Sequence, residues 1–171
     1  GLKYAIIREK LKNVKKKSNI GREGSPIISL GSFDRNNYLK KLKNNSNLID
    51  ENFKVFPGPY AKKTLNLKKN FKIASEKNYE KFLTQAPWCI VNGGLTLIEC
   101  LYLKKPVFAF PQNKNEKKFI TMLYNKGYIL GNSISKIYVP NKKNLRMVEK
   151  KIKKLVDGKG SMRITKLIKK N

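Results

Sequence analysis

The segment Asn92-Gly93-Gly94-Leu95-Thr96-Leu97-Ile98-Glu99 holds the residue types and spacing best suited to chemistry in this chain. Two glycines lie between the apolar run Trp88-Cys89-Ile90-Val91, a predicted buried strand, and Leu95 to Leu103, a predicted helix. At such a turn glycine lets the backbone approach a ligand closely, and the first N–H groups of the helix can hold an anion. Thr96 and Glu99 are three residues apart and share one face of the first turn. A hydroxyl and a carboxylate beside a phosphate site suit the diphosphate and ribose of a nucleotide. The same pair also fits a capping box, in which both side chains satisfy helix-end N–H groups and bind nothing. Gly93-Gly94 also fits a plain strand-to-helix turn.

Other candidates are sparser. Gly31-Ser32 follows the apolar run Pro26 to Leu30 and fits either a second glycine loop at the ligand or a simple turn. Asp34 fits a helix cap better than a catalytic group. Asn115 and Glu116 open a predicted helix and could cap it or touch a ligand. Trp88 reads as packing. The chain has no histidine, which removes the commonest general base and the usual zinc ligands. Catalysis by these residues alone would have to use carboxylates, a lysine or a tyrosine, and no catalytic residue is assigned. Cys89 and Cys100 do not have metal-ligand spacing and read as buried thiols in a reducing compartment. No metal is expected.

The elements that must position these residues follow from periodicity and punctuation. Short apolar strands are expected at Pro26–Leu30, Phe53–Phe56 (closed by Pro57-Gly58-Pro59), Phe71–Ile73, Trp88–Val91 and Pro106–Phe110, with a weak sixth at Tyr128–Leu130. Helices are expected at Asn36–Leu42, Glu76–Gln85 capped by Ser75, Leu95–Leu103, Glu116–Lys126 ended by Gly127, and Asn141–Val156, with a short tail helix after Gly160. Alternating strands and helices call for an α/β fold, a Rossmann-like, doubly wound parallel sheet of about six strands. In the common order 3-2-1-4-5-6, strands one and four are neighbours. Gly31-Ser32 and Asn92-Gly93-Gly94 would then flank one crevice, the topological switch point where ligands bind.

Composition bounds the rest. The chain has 171 residues and a formal net charge of +28, enough length for one ordinary domain. So high a charge suggests polyanions. However, lysine far outnumbers arginine and is spread over nearly every predicted helix and loop, with its densest stretch at the carboxyl end. That pattern argues against specific nucleic-acid recognition, which favours arginine, and leaves weak association with anionic surfaces at low salt. No apolar run approaches the roughly 20 residues that span a bilayer. The amino end lacks the long apolar stretch and cleavage site of a secretory signal, so the expected location is the cytoplasm.

Three segments in this order resemble the carboxyl-terminal half of a GT-B type nucleotide-sugar enzyme. They resemble most the UDP-sugar hydrolase of pseudaminic acid biosynthesis and its spore-coat polysaccharide relatives, and more distantly the N-acetylglucosaminyltransferase that makes lipid II. Gly1-Leu2-Lys3-Tyr4-Ala5-Ile6-Ile7-Arg8 resembles the interdomain segment. Ile27-Ile28-Ser29-Leu30-Gly31-Ser32-Phe33-Asp34 resembles the first strand and glycine loop. Ala86 to Gln112, with Gly93-Gly94-Leu95-Thr96 and Glu99, resembles the diphosphate and ribose site.

The resemblance implies that backbone N–H groups around Asn92, Gly93, Gly94, Leu95 and Thr96 hold a pyrophosphate. It implies that Glu99 accepts from ribose hydroxyls, that backbone at Ile73 and Ala74 contacts the base (uracil), and that Gly31, Ser32 and Asn115 line the site. No cofactor is implied beyond the substrate nucleotide. Leu30 stands where the family has a first glycine, and Phe33 intervenes before Asp34. Glu116 follows Asn115 where the family often has glutamine, and a glutamate repels a phosphate, which points to a ligand farther away or a different donor. The implied organisation is an interdomain segment or linker at 1–20, the nucleotide-sugar domain at 21–160 and a basic tail at 161–171. An amino-terminal catalytic domain, in cis or as a separate subunit, is the implied partner. The alternatives are a basic nucleic-acid-binding module and a degenerate interaction domain.

Overall fold

The structure is a computed structural model that describes residues 1–17, 23–58 and 67–169. Pro59, the expected boundary at residues 20 and 21, and the last two tail residues lie outside the described residues.

Five short strands form one parallel sheet: β1 (Ile27–Ser29), β2 (Phe53–Val55), β3 (Phe71–Ile73), β4 (Cys89–Asn92) and β5 (Val107–Phe110). Their order is β3-β2-β1-β4-β5, with β1 central and parallel to both β2 and β4. This is the Rossmann-like order expected from the sequence, less its sixth strand. Tyr128–Leu130 begins that strand, with Leu130 N–H donating to the Val107 carbonyl at 2.7 Å and Gly131 bridging Phe108 in parallel. It goes no further, because the chain turns at Asn132 into a 3-10 segment, Ile134–Lys136.

Strands β1, β4 and β5 are buried on both faces, so their residues divide by alternation. Ile27, Cys89, Val91, Val107 and Ala109 face one core. That side is covered by α3 (Tyr79–Gln85), α4 (Leu95–Tyr102), α5 (Lys114–Asn125) and the carboxyl part of α6 (Lys142–Ile152). Ile28, Ile90, Phe108 and Phe110 face the other core, beneath α2 (Tyr38–Lys43) and the short turns near Leu48 and Ile137. Trp88 belongs to this second core and meets Phe53 and Phe108 edge to face, so it is packing, as its position implies.

Helix boundaries follow caps the sequence only partly signals. Asp34 caps α2 from four residues upstream, accepting from the N–H groups of Tyr38 (3.0 Å) and Leu39 (2.8 Å). The helix therefore starts at Tyr38 rather than Asn36. Asn113, not Asn115 or Glu116, caps α5, which begins at Lys114. Asn141 and Asn144 cap α6 reciprocally, and α6 ends at Ile152, short of Val156. Ser75 makes no capping bond; a 3-10 turn, Glu76–Asn78, leads into α3 instead.

The amino-terminal segment packs on this body. Ile7 and Leu11, the latter in α1 (Glu9–Lys17), are buried in the first core, and α1 lies against α3. At the other end α7 (Gly160–Ile168) lies against the 3-10 turn Leu2–Tyr4. Arg163 there donates to the Lys3 carbonyl and pairs with Asp157, whose carboxyl it holds well below the usual range. Among the described residues no helix is long and apolar enough to cross a membrane.

Cys89 and Cys100 are both fully buried in the first core. Both are free thiols, and a hydrogen bond with Cys89, followed by burial, pushes the Cys100 thiol well up, so it stays protonated at neutral pH. Neither thiol should react with an aqueous thiol reagent at about pH 8 until the protein is unfolded. Mass-spectrometric counting of labelled thiols before and after urea checks this, and rapid labelling of folded protein would contradict the burial.

Candidate functional site

Parallel pairing of β1 with β4 brings the loops after both strands to one crevice. Ser29 pairs with Val91, so Gly31 and Asn92 emerge side by side. Gly31 has φ of +80°, a left-handed conformation that favours glycine, and a Cβ there would lie 2.7 Å from the Asn92 amide nitrogen. Gly31 is therefore glycine for two reasons, and its loop lies directly against the loop of β4. Ser32 beside it is exposed.

Gly94 is the N-cap of α4, and no side chain caps that helix. The capping box that is the alternative reading of Thr96 and Glu99 does not form. The first N–H groups of a helix have no intrahelical partner and point out of its start. In α4 these include the N–H groups of Leu95 and Thr96, at the end of the helix that follows the β4 loop, and the Leu95 side chain is exposed. Gly94 N–H leans on the Asn92 side-chain oxygen at 3.4 Å.

The loop after β5 closes the other side. Glu116 accepts through Oε2 from Gly93 N–H at 3.0 Å and from Gln112 N–H at 2.9 Å. Its Oε1 accepts from the Asn113 amide at 3.1 Å, while Asn113 caps Glu116 N–H. One carboxylate thus joins the loops of β4 and β5. Gln112 also donates to Asp34 at 3.3 Å, and Tyr38 and Asn36 both donate to the Pro111 carbonyl. The Gln112 side-chain oxygen is buried without a partner. Asn115 is exposed on the first turn of α5.

Glu99 is buried, and both of its oxygens accept from Arg8, at 2.6 Å from Nε and 3.0 Å from Nη2. Arg8 also reaches Glu80, likewise buried, at 3.4 Å, and Lys10 pairs with Glu80 at 3.2 Å. The guanidinium lies over the Tyr79 ring, 5.6 Å from its centroid. Burial pushes the Tyr79 phenol far above its ordinary value, with the Thr96 side chain partly opposing the shift. The bidentate fork is the arrangement arginine makes and lysine does not. Neither the spacing of Thr96 and Glu99 nor that of Arg8 signals this long-range pair. The one cue is an arginine that closes an apolar run.

Ile73 and Ala74 sit at the carboxyl end of β3, the sheet edge, where Ile73 is exposed. Three interstrand spacings of about 4.8 Å put them about 14 Å from the β4 loop. A single ligand that touches both must lie across the ends of β1 and β2. Among the described residues no group of three or more His, Cys, Asp or Glu is placed to hold a metal.

The architecture is that of a Rossmann-like domain of the GT-B type, and comparison with solved structures agrees. The chain is similar to the glycotransferase of kitacinnamycin, with a TM-score of 0.62 at 19% identity over 90% of this chain and 44% of that one. It is also similar to the glycosyltransferase SnogD from Streptomyces nogalater (TM-score 0.56, 16% identity, covering 95% and 47%). A third similar structure is the spinosyn forosaminyltransferase SpnP (TM-score 0.55, 13% identity, covering 96% and 47%). The likeness is one of fold, and the chain spans less than half the length of each. No family model matches the sequence, and no curated protein matches it significantly.

Arg8→Met would leave Glu99 and Glu80 buried, with Lys10 still paired to Glu80. The expected loss is about 3 kcal/mol of folding stability by urea unfolding, the low end for a broken buried pair because the Arg8 side chain is half exposed. Arg8→Lys should recover only part of it. A loss below about 1 kcal/mol would show that the pair behaves as an ordinary surface ion pair.

Proposed function

We propose that this chain is the nucleotide-sugar-binding half of a glycosyltransferase or nucleotide-sugar hydrolase, and that its ligand is a UDP-sugar. The observation that carries this is the crevice between β1 and β4. There the Gly31 loop meets the Asn92-Gly93-Gly94 loop, and α4 starts directly after it with no side-chain cap. Such a helix start favours a diphosphate by its orphan donors and its dipole. The base would lie toward Ile73 and Ala74, with the nucleotide extended over the ends of β2 and β1. A ribose can reach Glu99 only where Arg8 yields it, so ribose and guanidinium compete for one carboxylate. Resemblance of the Tyr4–Arg8, Ile27–Asp34 and Ala86–Gln112 segments to the pseudaminic acid and spore-coat enzymes favours uridine and a polysaccharide or nonulosonic acid pathway. The fold shared with three glycosyltransferases supports sugar chemistry over the nucleic-acid reading.

UDP should bind more tightly than UMP, because the second phosphate reaches the start of α4. At a hundredfold excess over its dissociation constant UDP should add about 2.7 kcal/mol to folding stability. Isothermal titration at about 0.15 M salt, where surface charge is largely screened, tests this. Equal affinity for UDP and inorganic pyrophosphate would mean that only charge is read, and a preference for oligonucleotides over both would favour the basic-module reading.

The catalytic group belongs, in this proposal, to an amino-terminal domain that forms the other wall of the cleft. General acid–base catalysis contributes roughly 10²–10⁴-fold and needs a group titrating near the working pH. With no histidine in the chain, the purified protein should bind UDP-sugar yet release neither UDP nor free sugar above background. Adding the amino-terminal domain should restore turnover. Sustained release by the chain alone, surviving further purification, would place the catalytic group within these residues.

A further inference from the structure

Glu116 differs from the ion-paired carboxylates Glu9, Glu80, Glu99 and Asp157 in how its charge is met. The chain carries 39 lysines and arginines against 11 acidic residues, yet no ion pair to Glu116 occurs among the described residues. Its charge is met by neutral donors instead: Gly93 N–H, Gln112 N–H and the Asn113 amide. Two of these are backbone donors from separate loops that converge on one oxygen, Oε2. That is the way a backbone anion site is built. Room is made for the side chain at Gly93, where a Cβ would lie 2.7 Å from both Cβ and Cγ of Glu116. Glycine at this position lets a carboxylate in as readily as it would a phosphate. Glu116 itself is only partly buried and sits on the first turn of α5, so its side chain can swing toward solvent.

We infer that Glu116 is a built-in competitor for the diphosphate site. Its carboxylate occupies the Gly93 and Gln112 N–H groups when no phosphate is bound, and an incoming phosphate must displace it or bind against its charge. The inference rests on the nucleotide reading above and adds to it a limit on affinity set by the chain itself. The site would then hold its nucleotide weakly and release it readily, with the carboxylate returning to Gly93 as the diphosphate leaves.

The test compares wild type, Glu116→Gln and Asp50→Asn, titrated with UDP and with inorganic pyrophosphate at about 0.15 M salt. Glutamine keeps an acceptor for one N–H and removes the charge. Asp50 is exposed and precedes β2, at the opposite end of the sheet, so Asp50→Asn controls for net charge alone. The expected result is that Glu116→Gln tightens both ligands by about tenfold or more, equivalent to about 1.4 kcal/mol, while Asp50→Asn changes neither. Wild-type UDP binding with no gain in Glu116→Gln would overturn the competitor role and leave the nucleotide site standing. An equal gain in Asp50→Asn would overturn it in favour of long-range charge. Absence of UDP and pyrophosphate binding in all three proteins would remove the nucleotide reading and this inference together. Should Glu116→Gln fail to fold, the wild-type amide resonances of Gly93 and Gln112 decide: both should move on pyrophosphate addition, and fixed resonances under saturating ligand would overturn the proposal.

Discussion

Ile27, Ile28 and Ser29 of β1 pair in parallel with Cys89, Ile90 and Val91 of β4, and each feature of the crevice follows from that register. A slip of one residue would turn the side chains of β1 to the wrong cores, since Ile27 and Ile28 serve opposite faces. It would also move Gly31 off Asn92. Apolar packing on both faces thus fixes, at a distance, where two polar loops meet. β1 and β4 achieve this because they are buried on both sides and each sits between two parallel neighbours.

The second organising feature is how few carboxylates carry the polar framework. In a chain of +28 one might expect every carboxylate to be wrapped in lysine. Instead Asp34 caps α2, Glu116 ties the loops of β4 and β5, and Glu99 takes the Arg8 fork. Glu80 extends the last cluster to Lys10. These groups connect segments far apart in sequence, and each sits at the end of a strand or beside α4. Most lysines lie on the surface; the exception is Lys105, which is buried and donates to the Thr84 carbonyl at 2.6 Å. The positive charge and the candidate site are separable properties of the molecule.

Much of the fold was legible because its signals are local. Apolar runs bounded by Gly and Pro located β1 to β5, and alternation with helices implied the parallel sheet. Tyr128-Ile129-Leu130 has the composition of a strand, but beside the Leu130 bond to Val107 only a single bridge, Gly131 to Phe108, forms there. Caps were legible by residue type and missed by position, as with Asn113, because Asn113 and Asn115 both precede Glu116 and the choice depends on where the β5 loop turns. Within the site, Gly31 and Gly93 were found as glycines next to strands. Their reasons, the Asn92 amide and the Glu116 methylenes, are tertiary and leave no trace in spacing. The pairing of Arg8 with Glu99 was beyond reach for the same cause, since 91 residues separate the partners. The Thr96-x-x-Glu99 spacing fits a ribose ligand or a capping box; the box does not form because α4 begins at Leu95 with Gly94 as its N-cap, and the Glu99 carboxylate takes Arg8 instead.

The most direct measurement is a map of backbone amide shifts as UDP is added to the isotope-labelled protein at about 0.15 M salt. The account requires the largest changes at Gly93, Leu95 and Thr96, a smaller set at Ile73 and Ala74, and little along the lysine-rich α6. Saturable shifts confined to the lysine-rich surface, with Leu95 and Thr96 unmoved, would contradict it.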